Sequence, residues 1–551
     1  MVKIEDALKE AIYNAILKID SEIDIDQSAI VIEIPKDSSL GDYSTNAAMK
    51  FCKLCKDNPI NVANKIKDNF DYEKANVDSI DVVKPGFINI VMNKASLASS
   101  IKNIIEQGKD FGQWPLNDAG KINVEYVSAN PTGDLHLGHA RQASLGDSIT
   151  RLYKKAGFDV VREYYVNDAG NQINNLANSV IARYHQLHDI DMEMPQDGYF
   201  GEDIKDIALM IKNLKKDTLL NAESEETFNY FKETAKLYEL DKLKQDLRDF
   251  NVEFDVWTSE QKLYDDNKVE KALDILVAND AIYESEGALW LKSISYGDDK
   301  DRVLKKSDGS YTYLTPDIAN HLQKLENGAN SMINLWGADH HGYIKRMQVA
   351  IEIATQKQDL LEVDIVQMVR LISDGQEVKM SKRTGNAIGL RDLCDEVGID
   401  AVRYFFASRA GSSHFDFDLD LATSKSNDNP VFYAQYAHAR ICSILSIAEE
   451  LDINREFDAS LLNHEKEIDL IKYLNDFSQQ VYDAAIQRAP HRITNYTQKL
   501  ASLFHSYYNE CKVIDKDNIE LTSARLALLQ ACQITLENAL DLVGVSAPQK
   551  M

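Results

Sequence analysis

Residues 128–141 read Ser-Ala-Asn-Pro-Thr-Gly-Asp-Leu-His-Leu-Gly-His-Ala-Arg. An alternating apolar run (Ile122, Val124, Tyr126) precedes them, and apolar residues at helical spacing (Ala143, Leu145, Ile149, Leu152) follow. A strand therefore turns into a helix here, with His136 and His139 at the turn. The amides and positive end of such a helix suit a nucleotide phosphate. Gly138 lacks a Cβ, which lets a purine approach the backbone.

That turn sets the frame for the rest. From 121 the pattern is β-loop-α-β: a strand at 122–128, the phosphate helix, and a second strand at 159–166. This order starts a parallel, Rossmann-like sheet. Residues 190–300 lose the alternation and read as an inserted, mostly polar helical segment. The sheet resumes at 332–336, followed by Gly337-Ala338-Asp339-His340-His341-Gly342, a helix, and a strand pair at about 363–378. Upstream, a helix at about 4–20, a strand at 29–34, a turn-rich stretch at 35–43, a second helix and a strand at 86–91 form a small α+β unit. Beyond 395 the chain reads as nearly all helix, broken at Pro430 and Pro490. The expected architecture is an α/β Rossmann-like catalytic core with an insertion, flanked by a small α+β N-terminal domain and an all-α C-terminal bundle. The expected boundaries are 1–115, 116–395 (190–300 inserted) and 396–551.

The 551 residues fit three or four domains. No apolar run approaches the roughly 20 residues that cross a bilayer, and the N-terminus resembles neither a signal nor a transit peptide. A cytoplasmic location and no membrane partner are the expectations. Six scattered cysteines, including Cys52 and Cys55 in one C-x-x-C, lack the second pair of a zinc site, so reduced thiols and no zinc are expected. A net charge of −27 disfavours nucleic-acid binding in bulk. Acids gathered away from a local basic groove, as in 223–255, would meet that objection.

Downstream, Lys379-Met380-Ser381-Lys382-Arg383 ends the last strand pair. Two histidines beside a helix N-terminus and two lysines on a loop can neutralise charge spreading over a triphosphate, while no covalent bond to the protein is needed. His136, His139, Lys379 and Lys382 are the expected catalytic set. Ser381 or backbone amides then bind a phosphate, and Met380 covers the adenine. Asp339-His340-His341 has metal-like composition, but its place after a strand favours ribose or substrate contacts. With Asn130, Pro131, Gly138 and Gly337 these complete the expected ATP site, and Mg2+ is expected to accompany the ATP.

The His-x-Gly-His pattern paired with the lysine loop resembles the two signatures of class I aminoacyl-tRNA synthetases. Val124 to Gly133 leading into the histidines is similar to arginyl-tRNA synthetases in particular. Further matches are Phe254-Asp255-Val256-Trp257 with Glu260, Tyr313-x-x-x-Asp317, Gly337 to Tyr343, Asp428 to Tyr433, Gln435 to Arg440, and the ending Val543 to Pro548. The resemblance implies that ATP and L-arginine form arginyl-adenylate, and that the arginine then passes to the terminal ribose of tRNA(Arg). It implies a guanidinium pocket of Glu260, Tyr313 and Asp317, with Glu125, Ser128 and Asn130 holding the α-amino and carboxylate end. Arginine's five-donor fork suits carboxylate partners. The resemblance further implies that the segment 39–43 touches the tRNA elbow and that the C-terminal bundle reads the anticodon. In that bundle Tyr433, Tyr436, His438, Arg440, Tyr507, Tyr508 and Lys512 mix aromatic and cationic groups, as single-stranded RNA requires. A monomer is expected, and whether arginine activation needs bound tRNA stays open.

Overall fold

The computed structural model describes residues 4–21, 23–33, 35, 40–118, 120–220, 224–379, 388–451, 453 and 456–551. At its centre five parallel strands lie in the order Leu361–Val366, Ala329–Gly337, Lys121–Glu125, Asp159–Val166 and Val256–Ser259. Lys121–Glu125, the earliest of the five in the chain, is thus central, and the chain winds away from it in both directions. A sheet with that topology opens a crevice at the carboxyl end of its first strand, where open α/β folds bind ligands. The helix Leu137–Lys155 leaves that strand and runs through the interior, its Ala140–Thr150 stretch wholly buried.

One expectation fails here. Val256–Ser259 falls inside the predicted 190–300 insertion, yet it pairs in parallel with Glu163–Val166 as the edge strand of the sheet. Four half-buried residues are too short for a period-2 pattern to register. What stands outside the sheet is a helical trio, Asn171–Leu187, Glu202–Lys215 and Glu225–Asp249, around Ile204, Ile207 and Phe231. A small antiparallel sheet follows: Ile282–Ser285, Ala288–Leu291 and Arg302–Lys305.

The N-terminal unit also departs from expectation. Its three-stranded antiparallel sheet consists of Tyr43–Thr45, Phe87–Met92 and Val77–Val83. The expected strand at 29–34 is absent among the described residues. Gln27–Ala29 is a short 3₁₀ turn, and only Glu33 pairs, as a single bridge to Ser44. Ile30 and Ile32 are buried at β spacing, but burial on one face does not supply a backbone ladder. The helix Ile4–Ile19 agrees with the reading.

In the C-terminal bundle the helix Pro430–Glu450 starts where proline tolerates a first turn, with Asn429 accepting hydrogen bonds from the amides of Val431 and Phe432. Pro490 likewise precedes His491–Glu510. A short strand, Phe415–Asp418, interrupts the expected run of helix and pairs in parallel with Val369–Ile372. The bundle is fastened to both neighbours. Lys472 pairs with Asp42 of the N-terminal unit at 2.6 Å. Fully buried Arg403 donates to the carbonyls of Val543, Phe250 and Asn251 and pairs with Asp147 of the central helix at 2.5 Å. Gly544 has φ +68°, and a Cβ there would overlap the Arg403 guanidinium, so the ending of the chain is fitted to this arginine.

Candidate active site

A cleft of about 1800 Å³ opens at the carboxyl ends of the sheet strands. Glu125, Ser128, Asn130, His136, Gly138, His139, Glu260, Tyr313, Asp317, Gly337, Asp339, His340 and Lys379 all line it. These residues span some 250 positions of sequence and are brought together by the winding of the sheet. Pro131, buried, and His341, exposed, do not line it. Met380, Ser381 and Lys382 lie outside the described residues.

The strand Lys121–Glu125 ends abruptly. Val127 (φ +69°) and Ser128 (φ +43°) are both left-handed, a conformation that costs about 1–3 kcal/mol per residue and gathers at functional sites. The kink turns Ser128 back onto the strand. Its Oγ accepts from the Tyr165 amide and donates to Glu125 Oε1, each at 3.1 Å.

His136 then caps the helix Leu137–Lys155: its Nδ1 accepts from the amides of Gly138 (3.0 Å) and His139 (3.3 Å). Those amides are therefore not open to an anion, contrary to the sequence reading. The His139 ring stacks on that of His136 with centroids 3.5 Å apart, and its Nδ1 accepts from the His136 amide. With Nδ1 an acceptor in both rings, the proton of each neutral imidazole sits on Nε2. Burial lowers the pKa of both, that of His139 to about 3 with a further push from His136. The corner thus offers two neutral N–H donors. Gly138 is needed for this pair as well: a Cβ would come within 2.9 Å of the His136 ring.

Arg141, one turn further, was not singled out from the sequence. Buried, it donates to the carbonyls of Gln367 (2.8 Å), Ala410 and Ser413 (2.9 Å). It thereby ties the histidine helix to the root of the hairpin Val369–Ser373/Gln376–Val378, whose end carries Lys379. Lys242 of the helical trio reaches Asp134, in the loop before His136, at 2.6 Å.

The opposite wall is acidic. Asp317 is half-buried on the helix Leu314–Glu326, where Tyr343 Oη donates to Oδ2 at 2.7 Å. Burial, with the charges of Glu125 and Glu260 adding to it, raises its pKa to about 7. Burial also raises Glu260, which Tyr165 partly offsets. Glu125 differs. Its burial is outweighed by the charge of Lys324 and by the hydrogen bonds from Lys324 and Ser128, so its pKa is lowered. Tyr313 is 73% exposed and sits at the mouth rather than in the pocket.

Asn320, His321, Lys324, Asn334, Tyr343 and Gln142 were missed as site residues. A signal existed: 317, 320, 321 and 324 follow helical spacing, and polar side chains on that buried stripe break the amphipathic rule. Among the described residues no group of three or more His, Cys, Asp or Glu is arranged to hold a metal. His340 pairs with Asp339 at 3.3 Å on an exposed 3₁₀ turn, Ala338–Tyr343.

Of the aromatic and cationic residues in the bundle, Tyr507 and His438 are buried, the latter bonded to the Pro548 carbonyl. Neither is free to stack on RNA. Arg440 lies over the Tyr508 ring at 5.0 Å, and Tyr433 and Tyr436 pack against His505. The six cysteines are free thiols.

A nucleotide crevice with paired imidazoles after its first strand, followed far along the chain by a lysine hairpin, defines a class I aminoacyl-tRNA synthetase. The family model of the class I (R) tRNA synthetase catalytic domain matches residues 100–406, that of the arginyl-tRNA synthetase N-terminal domain residues 3–92, and that of the DALR anticodon binding domain residues 434–551. An arginine–tRNA ligase of Bacillus licheniformis is 52% identical over 551 residues, covering 100% of this chain and 99% of its own. The solved structure of a putative arginyl-tRNA synthetase from Campylobacter jejuni has a TM-score of 0.77 at 36% identity, over 83% of this chain and 100% of that one. The fold of Thermus thermophilus arginyl-tRNA synthetase matches with a TM-score of 0.74 over 99% of both chains at 21% identity. The chain belongs to the arginyl-tRNA synthetase family.

Proposed function

We propose that this chain ligates L-arginine to tRNA(Arg) in the cleft just described, by way of arginyl-adenylate. The observation that carries the reading is the meeting, in one cleft, of two neutral imidazole donors with three carboxylates from distant segments. In the first step a carboxylate oxygen of arginine attacks the α-phosphorus of ATP in line, and pyrophosphate leaves. His136 and His139 donate from Nε2 to phosphate oxygens as charge develops. Lys379 and Lys382 meet the departing phosphates, Ser381 or backbone amides bind a phosphate, and Met380 covers the adenine. Asn130, Gly138, Gly337, Asp339 and His340 hold the nucleotide. Mg2+ enters with ATP as the counter-ion of its phosphates.

Asp317 and Glu260 take the guanidinium, Tyr313 closes over it from the mouth, and Glu125, Ser128 and Asn130 hold the α-amino end. An ammonium in place of the fork leaves desolvated acceptors unpaired, which discriminates by about 10⁴–10⁵ in comparable pockets. In the second step the terminal ribose of tRNA attacks the adenylate and AMP leaves. The N-terminal unit meets the elbow. In the bundle, Tyr433, Tyr436, Arg440, Tyr508 and Lys512 remain as anticodon contacts. Domain boundaries near 115 and 395, a monomeric state and a cytoplasmic location complete the reading. Among the described residues no helix is long and apolar enough to cross a membrane.

The test is charging of tRNA(Arg) transcripts with each amino acid, together with pyrophosphate exchange in the presence and absence of tRNA. Arginine-dependent charging is expected. Charging with glutamate or cysteine instead would sink the assignment.

A further inference from the structure

Lys324 is a buried lysine that the reaction above leaves unused. It is 2% exposed, and its Nζ stands 2.5 Å from Glu125 Oε2 and 3.5 Å from Asn334 Oδ1. A buried ammonium is tolerated only where a carboxylate compensates it. Here that carboxylate lines the substrate cleft. Glu125 is held at both oxygens: Lys324 and Asn320 donate to Oε2, the latter at 3.4 Å, and Ser128 donates to Oε1.

The groups facing Glu125 are few. From the helix Leu314–Glu326 come Lys324, His321 and Asp317; from the strand Asp159–Val166 comes Tyr165; from Ala329–Gly337 comes uncharged Asn334. His321 is kept neutral by burial and by Lys324. Its Nδ1 donates to the Asp317 carbonyl, and its Nε2 accepts from Asn334 Nδ2 at 2.9 Å. Lys324 is therefore the one cation among these groups.

We propose that Lys324 is the positioning residue for Glu125, and that through it the helix Leu314–Glu326 acts as a ruler for the amino-acid substrate. The proposal rests on the assignment of Asp317 and Glu125 to the two ends of arginine. Asp317 and Lys324 are seven residues apart, two turns along one face, about 10.5 Å at 1.5 Å per residue. Asp317 takes the guanidinium directly. Lys324 fixes Glu125, which takes the α-ammonium. Both anchor points are thus set by one rigid element, so substrate length is read by a helix rather than by a loop. Without Lys324, Glu125 has burial but no counter-ion; it takes up a proton and loses its hold on the ammonium.

The experiment compares the wild-type chain with Lys324→Met, Glu125→Gln and the double variant. The readout is KM for arginine in charging of tRNA(Arg) between pH 6 and 8.5, with the guanidino amino acid one methylene shorter as competitor. Lys324→Met is expected to raise KM by about tenfold or more, with a much smaller change in kcat. The dependence of log KM on pH on the acid side should steepen from one proton to two, and discrimination against the shorter homologue should narrow. In the Glu125→Gln background, Lys324→Met should add nothing, because its partner is already gone.

A folded Lys324→Met chain with unchanged KM, slope and discrimination overturns the proposal, as do additive effects of the two substitutions. Where Lys324→Met alone fails to fold, the double variant, which removes both charges, decides: KM equal to that of Glu125→Gln supports the proposal, and a further rise overturns it. A wild-type chain indifferent to arginine would instead overturn the site assignment, so the two failures are separable.

Discussion

The imidazole corner at 128–139 and the acidic wall around Asp317 share one cleft but solve the burial of polar groups differently. In the corner, one contiguous stretch caps its own helix: His136 takes up two helix amides, His139 stacks on it, and burial keeps both rings neutral. On the acidic wall Glu125, Glu260 and Asp317 come from separate segments, and burial leaves Asp317 close to half-protonated near neutral pH. The corner is thus preorganised and indifferent to pH in the working range. The wall waits for a cation to complete it. A site that must hold a transient charge gains from fixed neutral dipoles, whereas one that must select a permanent cation gains from acids whose burial is relieved only by the right ligand.

The sharpest way to break this contrast is at the corner. His139→Ala is expected to lower kcat for adenylate formation by about 10²–10³ while leaving KM for arginine and the shape of the pH profile unchanged. Single-turnover kinetics from pH 6 to 8 checks both halves; a shifted acid limb would show that a charged imidazole is in play after all.

On the wall, Asp317→Asn should raise KM for arginine by roughly tenfold to a hundredfold with little effect on KM for ATP. Equal losses for both ligands would erase the division of the cleft. Asp317 also sets a pH dependence of known sign. Its free-state pKa is raised to about 7, and the guanidinium requires it ionised, so arginine binding releases a proton below that pH. Log KM for arginine should therefore climb by about one unit per pH unit as pH falls below about 7, and Asp317→Asn should flatten that climb.

The smallest effect concerns the support behind the corner. Arg403 joins the central helix, at Asp147, to the chain ending at Val543, and Gly544 leaves space for it. Gly544→Ala places a Cβ in a left-handed conformation against that guanidinium and should lower stability by at least about 1–2 kcal/mol, read as a lower Tm in thermal unfolding. An unchanged Tm would show that the corner does not lean on this anchor.

The strand-turn-helix at 121–155, the resumption of the sheet at 332–336 and the proline-marked helices of the bundle were legible because each is long and strongly patterned. Val256–Ser259 was not, since four residues at a sheet edge carry almost no periodic signal. The segment at 29–34 misled for the opposite reason: Ile30 and Ile32 alternate as in a strand, yet the neighbouring chain offers Glu33 only one bridge.

The sequence by itself determined the strand-turn-helix that carries His136 and His139, because alternation and helical spacing are patterns among near neighbours in the chain. Only the tertiary structure decided how Glu125, Glu260, Asp317 and Lys324 share one cleft and which acid keeps its charge. Those properties depend on burial and on through-space charge between segments up to about two hundred residues apart, and local pattern holds no record of either.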